Sequence, residues 1–474
     1  MDTDIVSLVA IESFNAVSDN RRKFDIYAAK FLESLLEHRR IPLHYAGKTH
    51  LWDGTKYVVC DEVAMLVREW MKKNKHGQSN NLVGNVVPCF QSLGWRDHKR
   101  YGPMPFWCGR DACPFSDTSK VVAFNNGLLD LGGDGGLTPH TPNWCSATSL
   151  PFAYDPAATC PQWLAFLDEV FEGDHERVEL LQEFMGYCLT PDTRYQKALV
   201  MCGQSRSGKG TISGVLKRLL GDGYTGFNLN ALLATHGPTQ LRNKLVAVVG
   251  EVELPAGPDR VAITGGIKNW VGGDEMSMNE KHCPLIVSER VTARLVMCCN
   301  SMPTLYDASG ALANRLLVLP FQVSFAGRED VALESKLATE LPGVANWAVA
   351  GLRRLTANGK FTTGKASAAA GRAFAAKTAA VRQWVIERAV VDKAIDPGYL
   401  PPEAIGDQVG WTATTDLYDD YCHWCMDRGD TPQESPYFGQ QLRTAVDRLQ
   451  PKRPVVKGVR VVGYVGIRLR TTAV

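Results

Sequence analysis

The stretch GQSRSGKGT at 203–211 sets Gly203, Gln204, Ser205, Arg206, Ser207, Gly208 and Lys209 at the spacing of a phosphate-binding loop. In such a loop the backbone N–H groups and the following helix N-terminus cradle a polyphosphate. Lys209 reaches the β and γ phosphates of ATP. Gly210 stands where the usual pattern has a hydroxyl residue, so Thr211 is the candidate for the magnesium side, directly or through water. The same GKGT occurs in nucleoside monophosphate kinases, and the loop alone does not separate a small-molecule kinase from a motor.

Three further groups have the chemistry to complete a phosphoryl-transfer site. Glu251 follows the apolar run LVAVVG and is the candidate for coordinating Mg2+ and orienting the attacking water, with Glu253 as the second choice. Alternation along an extended chain puts both carboxylates on the same side, so Glu253 also fits a solvated surface charge. Asn300 ends the run RLVMCC, where its amide can polarise water or the γ phosphate, although Asn before SMP also suits a turn. Arg315 opens RLLVLPF. It is either an edge residue or a guanidinium offered to a neighbouring subunit's phosphates.

These groups need a rigid sheet to hold them. KALVMC, LVAVVG (245–250), RLVMCC (294–299) and RLLVLPF (315–321) are apolar runs separated by helical patterns, as expected for parallel strands covered by helices. After the glycine loop, Ile212, Val215, Leu216, Leu219 and Leu220 form a helical stripe that stops at Gly221. The expected fold class is α/β: a mixed α/β unit over 1–190, a P-loop unit over 191–355, a linker over 356–380 that reads either as a flexible connector or as a helix entering the last unit, and a last unit over 381–474. In the first, Val63, Leu66, Val67, Trp70 and Met71 share one helical stripe. The last reads as two helices followed by a basic hairpin, a winged helix for binding DNA.

Composition excludes other classes. The chain has 474 residues, 45% hydrophobic and 22% charged, with no apolar run long enough for a membrane span. No secretory pattern opens it, so a cytoplasmic setting is expected. The 13 cysteines are odd in number and scattered, which argues against a disulfide framework. A net charge of +2 conceals a local asymmetry. From 451 onward, Lys452, Arg453, Lys457, Arg460, Arg468 and Arg470 meet no acidic residue.

The ordered set GQSRSGKGT, GEVE, KNWVGGDEMSMNEK, VMCCNSMP and NRLLVLPF resembles the superfamily 3 helicases of the phage and plasmid primase-helicase type. Upstream, AFNNGLLDL, LPFAYDP and LLQEFMGYCLTPDTRYQKAL look like the domain preceding the motor in poxvirus and phage relatives, and YVGIRLR is similar to their C-terminal winged helix. The resemblance spans most of 45–470. It implies an AAA+ core and a hexameric ring that moves on single-stranded and forked DNA in a bacterial host cell. Lys209 and Thr211 would lie at phosphate and metal, Glu251 on the acidic strand, Asn300 as sensor and Arg315 as a finger acting on the next subunit. It further implies a channel-facing hairpin, for which Lys268, Lys281 and His282 are candidates and Lys281 the first choice. Gly250 departs from the family pattern, which often has a second carboxylate there. About 45 residues ahead of the shared region are too few for a primase domain, so a separate primase or polymerase is the expected partner.

Two other readings stay open. An origin-binding or single-strand-holding initiator, whose ATPase only controls assembly, is suggested by the basic C-terminus, and a small-molecule phosphotransferase by GKGT alone. CHWC (422–425) and CGRDAC (108–113), with His423 or His98 nearby, lack the second matched pair of a zinc site, and CHWC suits helix packing. Trp95, Trp107 and Trp144 could stack on bases, but isolated tryptophans are more often core.

Overall fold

The computed structural model describes residues 19–133, 135–255, 258–279, 286–303, 305, 307, 311–378, 380–395, 400–407, 409–429, 432–446 and 448–470. The first elements are helix α1 (Asp19–Glu37), strands β1 (Pro42–Tyr45), β2 (Lys48–Trp52) and β3 (Tyr57–Val59), helices α2 (Val63–Lys73) and α3 (Asn80–Leu93), and strand β4 (Trp95–Arg96). They form a four-stranded sheet in the order β3-β2-β1-β4, with the three helices packed around Phe31, Val67, Met71 and Phe90. The stripe expected on α2 is present. Val63, Val67 and Met71 are buried, with Leu66 and Trp70 packed beside them.

Short strands follow: β5 (Phe106–Trp107), β6 (Val121–Phe124), β7 (Gly127–Asp130), β8 (Leu137–Thr138) and β9 (Trp144–Cys145), then helices α4 (Pro161–Phe171) and α5 (His175–Tyr187). The central sheet is built from β10 (Ala198–Gly203), β11 (Tyr224–Gly226), β12 (Val246–Val249), β15 (Arg294–Cys299) and β16 (Leu316–Phe321), in the order β11-β12-β15-β10-β16 with all neighbours parallel. Helix α6 (Lys209–Leu220) leaves the end of β10. Helix α7 (Pro258–Gly272) and an antiparallel pair, β13 (Glu275–Asn279) and β14 (Ile286–Arg290), lie between β12 and β15 in the chain.

Because side chains alternate across a strand, each central strand feeds two cores. Leu199 and Met201 of β10, with Val248, Val296 and Leu319, join the core under α4, α5, α6 and α8 (Leu341–Asn358). Ala198 and Val200, with Val249, Met297 and Val318, join the other, against Ile263, Ile267 and Trp270 of α7. The first core runs from Val122 to Phe361, so the boundary expected at residue 190 falls inside a shared hydrophobic interior. Of the two readings of 356–380, flexible connector or helix, the structure has the helix over most of the segment. Helix α9 (Lys365–Thr378) buries Phe374 in the second core, since alanine-rich sequence can continue a helix wherever one apolar side chain finds a face.

The last unit has its own core around Trp384, Leu417, Tyr421, Phe438 and Ile467. It comprises α10 (Ala380–Arg388), β17 (Ala389–Asp392), β18 (Ile405–Gly406), β19 (Trp411–Ala413), α11 (Thr414–Asp427), α12 (Ser435–Ala445) and strands β20 (Gln450–Lys452) through β24 (Ile467–Leu469). The CHWC residues sit on α11, which turns Trp424 and Cys425 inward. Strands β21 (Val455–Val456) and β22 (Val459–Arg460) form a hairpin turned by Lys457 and Gly458, both with positive φ.

Helices α5 and α8 meet through glycine. A Cβ on Gly351 would fall 2.5 Å from the Gln182 backbone, and one on Gly186 2.2 Å from the Ala348 carbonyl oxygen. Gly351→Ala is therefore expected to destabilise by about 1–3 kcal/mol through overpacking. Gly371→Ala, on α9 with open space around it, should be neutral or stabilise by up to about 1 kcal/mol. Urea midpoints of the two variants check this; equal midpoints would rule out the glycine-only contact.

Candidate nucleotide site

The phosphate-type loop is shaped by packing on both sides. A Cβ on Gly203 would lie 2.2 Å from the Phe321 carbonyl oxygen, so only glycine lets β10 and β16 close together there. Gly208 has φ +92°, and its missing side chain leaves room for Val170 and Phe166 of α4, at 2.9 and 3.2 Å from an added Cβ. Arg206 also takes positive φ, and its carbonyl accepts the Phe325 N–H at 2.8 Å. Its guanidinium pairs with Glu329, whose carboxyl is held below the usual range, first by backbone N–H groups and then by Arg206.

Helix α6 begins at Lys209 with no side-chain cap, leaving its first-turn N–H groups for an anion. Lys209 is buried. Its Nζ donates to the carbonyl oxygens of Gly203 and Gln204 and to Ser207 Oγ at 2.5, 2.6 and 3.2 Å. The ammonium is thus held inside the loop by groups that a phosphate oxygen can replace. Gly210 faces open space, with nothing within 4 Å of an added Cβ, and Thr211 is half-exposed on the first turn.

The register brings the other candidates to the same end of the sheet. Cys202 pairs with Cys299, so Gly203 and Asn300 leave adjacent strands side by side, about 5 Å apart in the hydrogen-bonding direction. Val249 pairs with Met297, which carries Glu251, two residues on, to the level of Cys299 one strand further out. Asn300, Glu251 and Glu253 are all exposed there. A thiol pair lies beneath them. The Cys299 hydrogen bond, helped by the Lys209 charge, pulls the Cys202 thiol down to about 7, while Cys299 is pushed far up.

Arg315 is not part of this cluster. It precedes Leu316, which pairs with Ala198 at the start of β10, whereas the loop follows the strand's other end at Gly203 beside Phe321. Six residues at ~3.3 Å each put it roughly 20 Å away. Its guanidinium lies against Gly272, the last residue of α7. Lys268, on α7, pairs with the buried Asp307 at 3.0 Å. Lys281 and His282 lie outside the described residues.

Motif reading did not find the groups that brace the loop: Phe166 and Val170 from α4, Phe325 and Glu329 beyond β16. Nothing in their local sequence marks them, because packing partners are set by topology. Arg177 belongs with them; it is buried and bonds the carbonyl oxygens of Pro320 at 3.2 Å and Phe171 at 2.8 Å, tying α4 to β16.

Residues 29–172 match the family described as D5 N terminal like, and residues 201–315 match a family of unknown function, DUF5906. Two apo structures of the NrS-1 C-terminal region are similar, at 11% and 12% identity, each with a TM-score of 0.50; they cover 92% and 93% of this chain and 98% and 99% of theirs. The chain shares the fold of that region. An Acanthamoeba polyphaga mimivirus protein named as a candidate helicase is 22% identical over 230 residues, 46% of this chain. The chain spans 23% of that protein's length. No helix among the described residues is long and apolar enough to cross a membrane.

Alkylation of Cys202 by iodoacetamide should rise through a pH of about 7, and Lys209→Ala should move that midpoint upward, since removing the cation disfavours the thiolate. Peptide mapping of the labelled protein reads both; a midpoint near the ordinary thiol value of 9.0 would exclude the contact.

Proposed function

We propose that the chain is an ATP-driven DNA helicase of viral or phage replication, working as a ring with a shared active site in which each nucleotide lies between two subunits. The observation carrying this reading is the split placement of the groups: loop, Asn300 and Glu251 at one end of the parallel sheet, Arg315 at the other. The kinship with a D5-type N-terminal family and a mimivirus protein named as a candidate helicase supports the same reading.

In this reading Lys209 releases the loop carbonyls and takes up the β and γ phosphates of ATP, with the α6 N-terminus and loop N–H groups holding the rest. Thr211 and Glu251 would hold Mg2+, which supplies positive charge against the phosphate oxygens. Glu251 orients the attacking water and Asn300 polarises it, while Glu253 stands by as a second carboxylate. Arg315 cannot reach its own loop and serves the neighbouring subunit's γ phosphate. The core is of AAA+ type and the assembly a hexamer. Lys281 and His282, which fall in the chain between β13 and β14, are the proposed DNA grip. Lys268 is already paired and contributes less.

The last unit is read as a winged helix. Helix α12 exposes Gln440, Arg443 and Thr444 on one face, and the β21–β22 hairpin extends Lys457 and Arg460 with exposed Val455 and Val459. This surface also favours the second reading, an initiator that holds origin or single-stranded DNA and uses ATP only to assemble.

Unwinding of a forked duplex with ATP and Mg2+ tests the motor. Lys209→Ala and Arg315→Ala should each lose ATPase, the latter by roughly 10³-fold if the guanidinium stabilises the transition state. Mixing the two inactive variants should restore activity, because some interfaces then combine an intact loop with an intact arginine. No recovery in the mixture, or full activity of Arg315→Ala alone, would refute the shared site. Removing Lys457 and Arg460 together should lower the salt dependence of DNA binding by about two phosphate contacts; unwinding that fails while duplex binding persists would favour the initiator.

A further inference from the structure

We infer that Cys108 and Cys145 form a peroxide-reactive thiol pair, with Cys108 the attacking sulfur and Cys145 the resolving one. The two sulfurs are 3.1 Å apart. Their placement follows from strand pairing: β5 and β9 run antiparallel with Phe106 opposite Cys145, and the Cys108 N–H donates to the Asn143 carbonyl oxygen at 2.9 Å. Alternation then sends the side chains of Phe106, Cys108 and Cys145 to one face, while Trp107 and Trp144 pack on the other.

The two thiols have different surroundings. Cys145 is fully buried. Cys108 is half-buried and lines an apolar cleft with Leu36, Ile41, Leu43, Leu93 and Arg96, so a small oxidant can approach it and not its partner. The Cys145 contact holds the Cys108 thiol below its ordinary value, with the Arg96 guanidinium adding to it, and burial pushes Cys145 well above. Of the two, the accessible sulfur therefore gives up its proton more readily and the hidden one keeps it. Among the described residues no group of three His, Cys, Asp or Glu is placed to hold a metal.

The chemistry balances with a hydroperoxide as the oxidant. The Cys108 thiolate attacks one peroxide oxygen, the O–O bond breaks, and the leaving hydroxide takes a proton, giving a sulfenic acid at Cys108 and one water. The Cys145 sulfur then attacks Cys108, the S–O bond breaks, and the Cys145 proton leaves with the hydroxyl as a second water. Two thiols and one H2O2 become one disulfide and two waters, and a small dithiol returns both protein thiols by exchange while closing its own disulfide. The bond would close a loop spanning β6, β7 and β8, fixing that sheet to the strand pair beside it.

The test uses the full chain and hydrogen peroxide in slight excess, followed by peptide mapping without reduction. The expected product links Cys108 to Cys145 and disappears with dithiothreitol. Iodoacetamide should label Cys108 about tenfold faster than Cys89, whose thiol burial pushes up to about 11. Arg96→Gln should slow that labelling several-fold while leaving the circular dichroism unchanged. Cys145→Ser should accumulate a dimedone-reactive Cys108; if that variant does not fold, the labelling rates of the unaltered chain and of Arg96→Gln decide alone. Oxidation that links other cysteines, Cys108 labelling no faster than Cys89, or stoichiometric zinc whose chelation is needed before Cys108 reacts, would each overturn the pair.

Discussion

The whole site depends on how closely β16 and α4 press against the loop that follows β10. At Gly203 the neighbouring strand leaves no room for a side chain, and at Gly208 the apolar side chains of α4 occupy the space a Cβ would take. Two glycines separated by four residues thus mark two walls, and the loop is cast between them. Its carbonyl oxygens consequently converge on the Lys209 ammonium, which would be costly to bury without such partners.

That casting explains why the matched N-terminal region and the sheet share one core. Arg177 lies on α5, yet bonds carbonyl oxygens at the end of α4 and in β16, so its position fixes the walls relative to each other. Glu183, fully buried on the same helix, receives Arg354 Nε at 2.8 Å and the Thr362 N–H at 2.7 Å. Each buried charge has compensating donors or acceptors, and each spans two elements distant in the chain. An isolated sheet unit would expose the apolar face that α4 and α5 now cover.

Local chemistry was legible in the sequence wherever it depended on neighbours in the chain. The loop, the helix stripe from Ile212 to Leu220 and the four apolar runs each have a short-range signature; strands β12, β15 and β16 lie within their runs and β10 passes the end of its run by one residue. Strand order did not show, because alternation tells which face a residue takes and not which strand stands beside it. The same limit hid Glu329 and Phe166, which brace the loop from a distance, and it led a continuous core to be divided at residue 190. Segment 356–380 stayed open between connector and helix for a different reason: alanine and glycine weaken the apolar pattern, and Phe374 with Ala370 beside it meets the core from α9.

The parallel sheet imposes a direction on whatever the site does. All five strands point the same way, so residues at the strand ends gather beside the loop while residues at the strand starts face the other way. Gly203, Asn300 and Glu251 belong to the first group and Arg315 to the second. A side chain in the second group can meet a phosphate held by the first only if another copy presents it. A lone subunit would then bind nucleotide yet lack the cation proposed to neutralise charge on the transferring phosphoryl group. Hydrolysis would follow assembly, and a shift of the Gly272 end of α7, against which the Arg315 guanidinium lies, would move the cation offered to the neighbour's site.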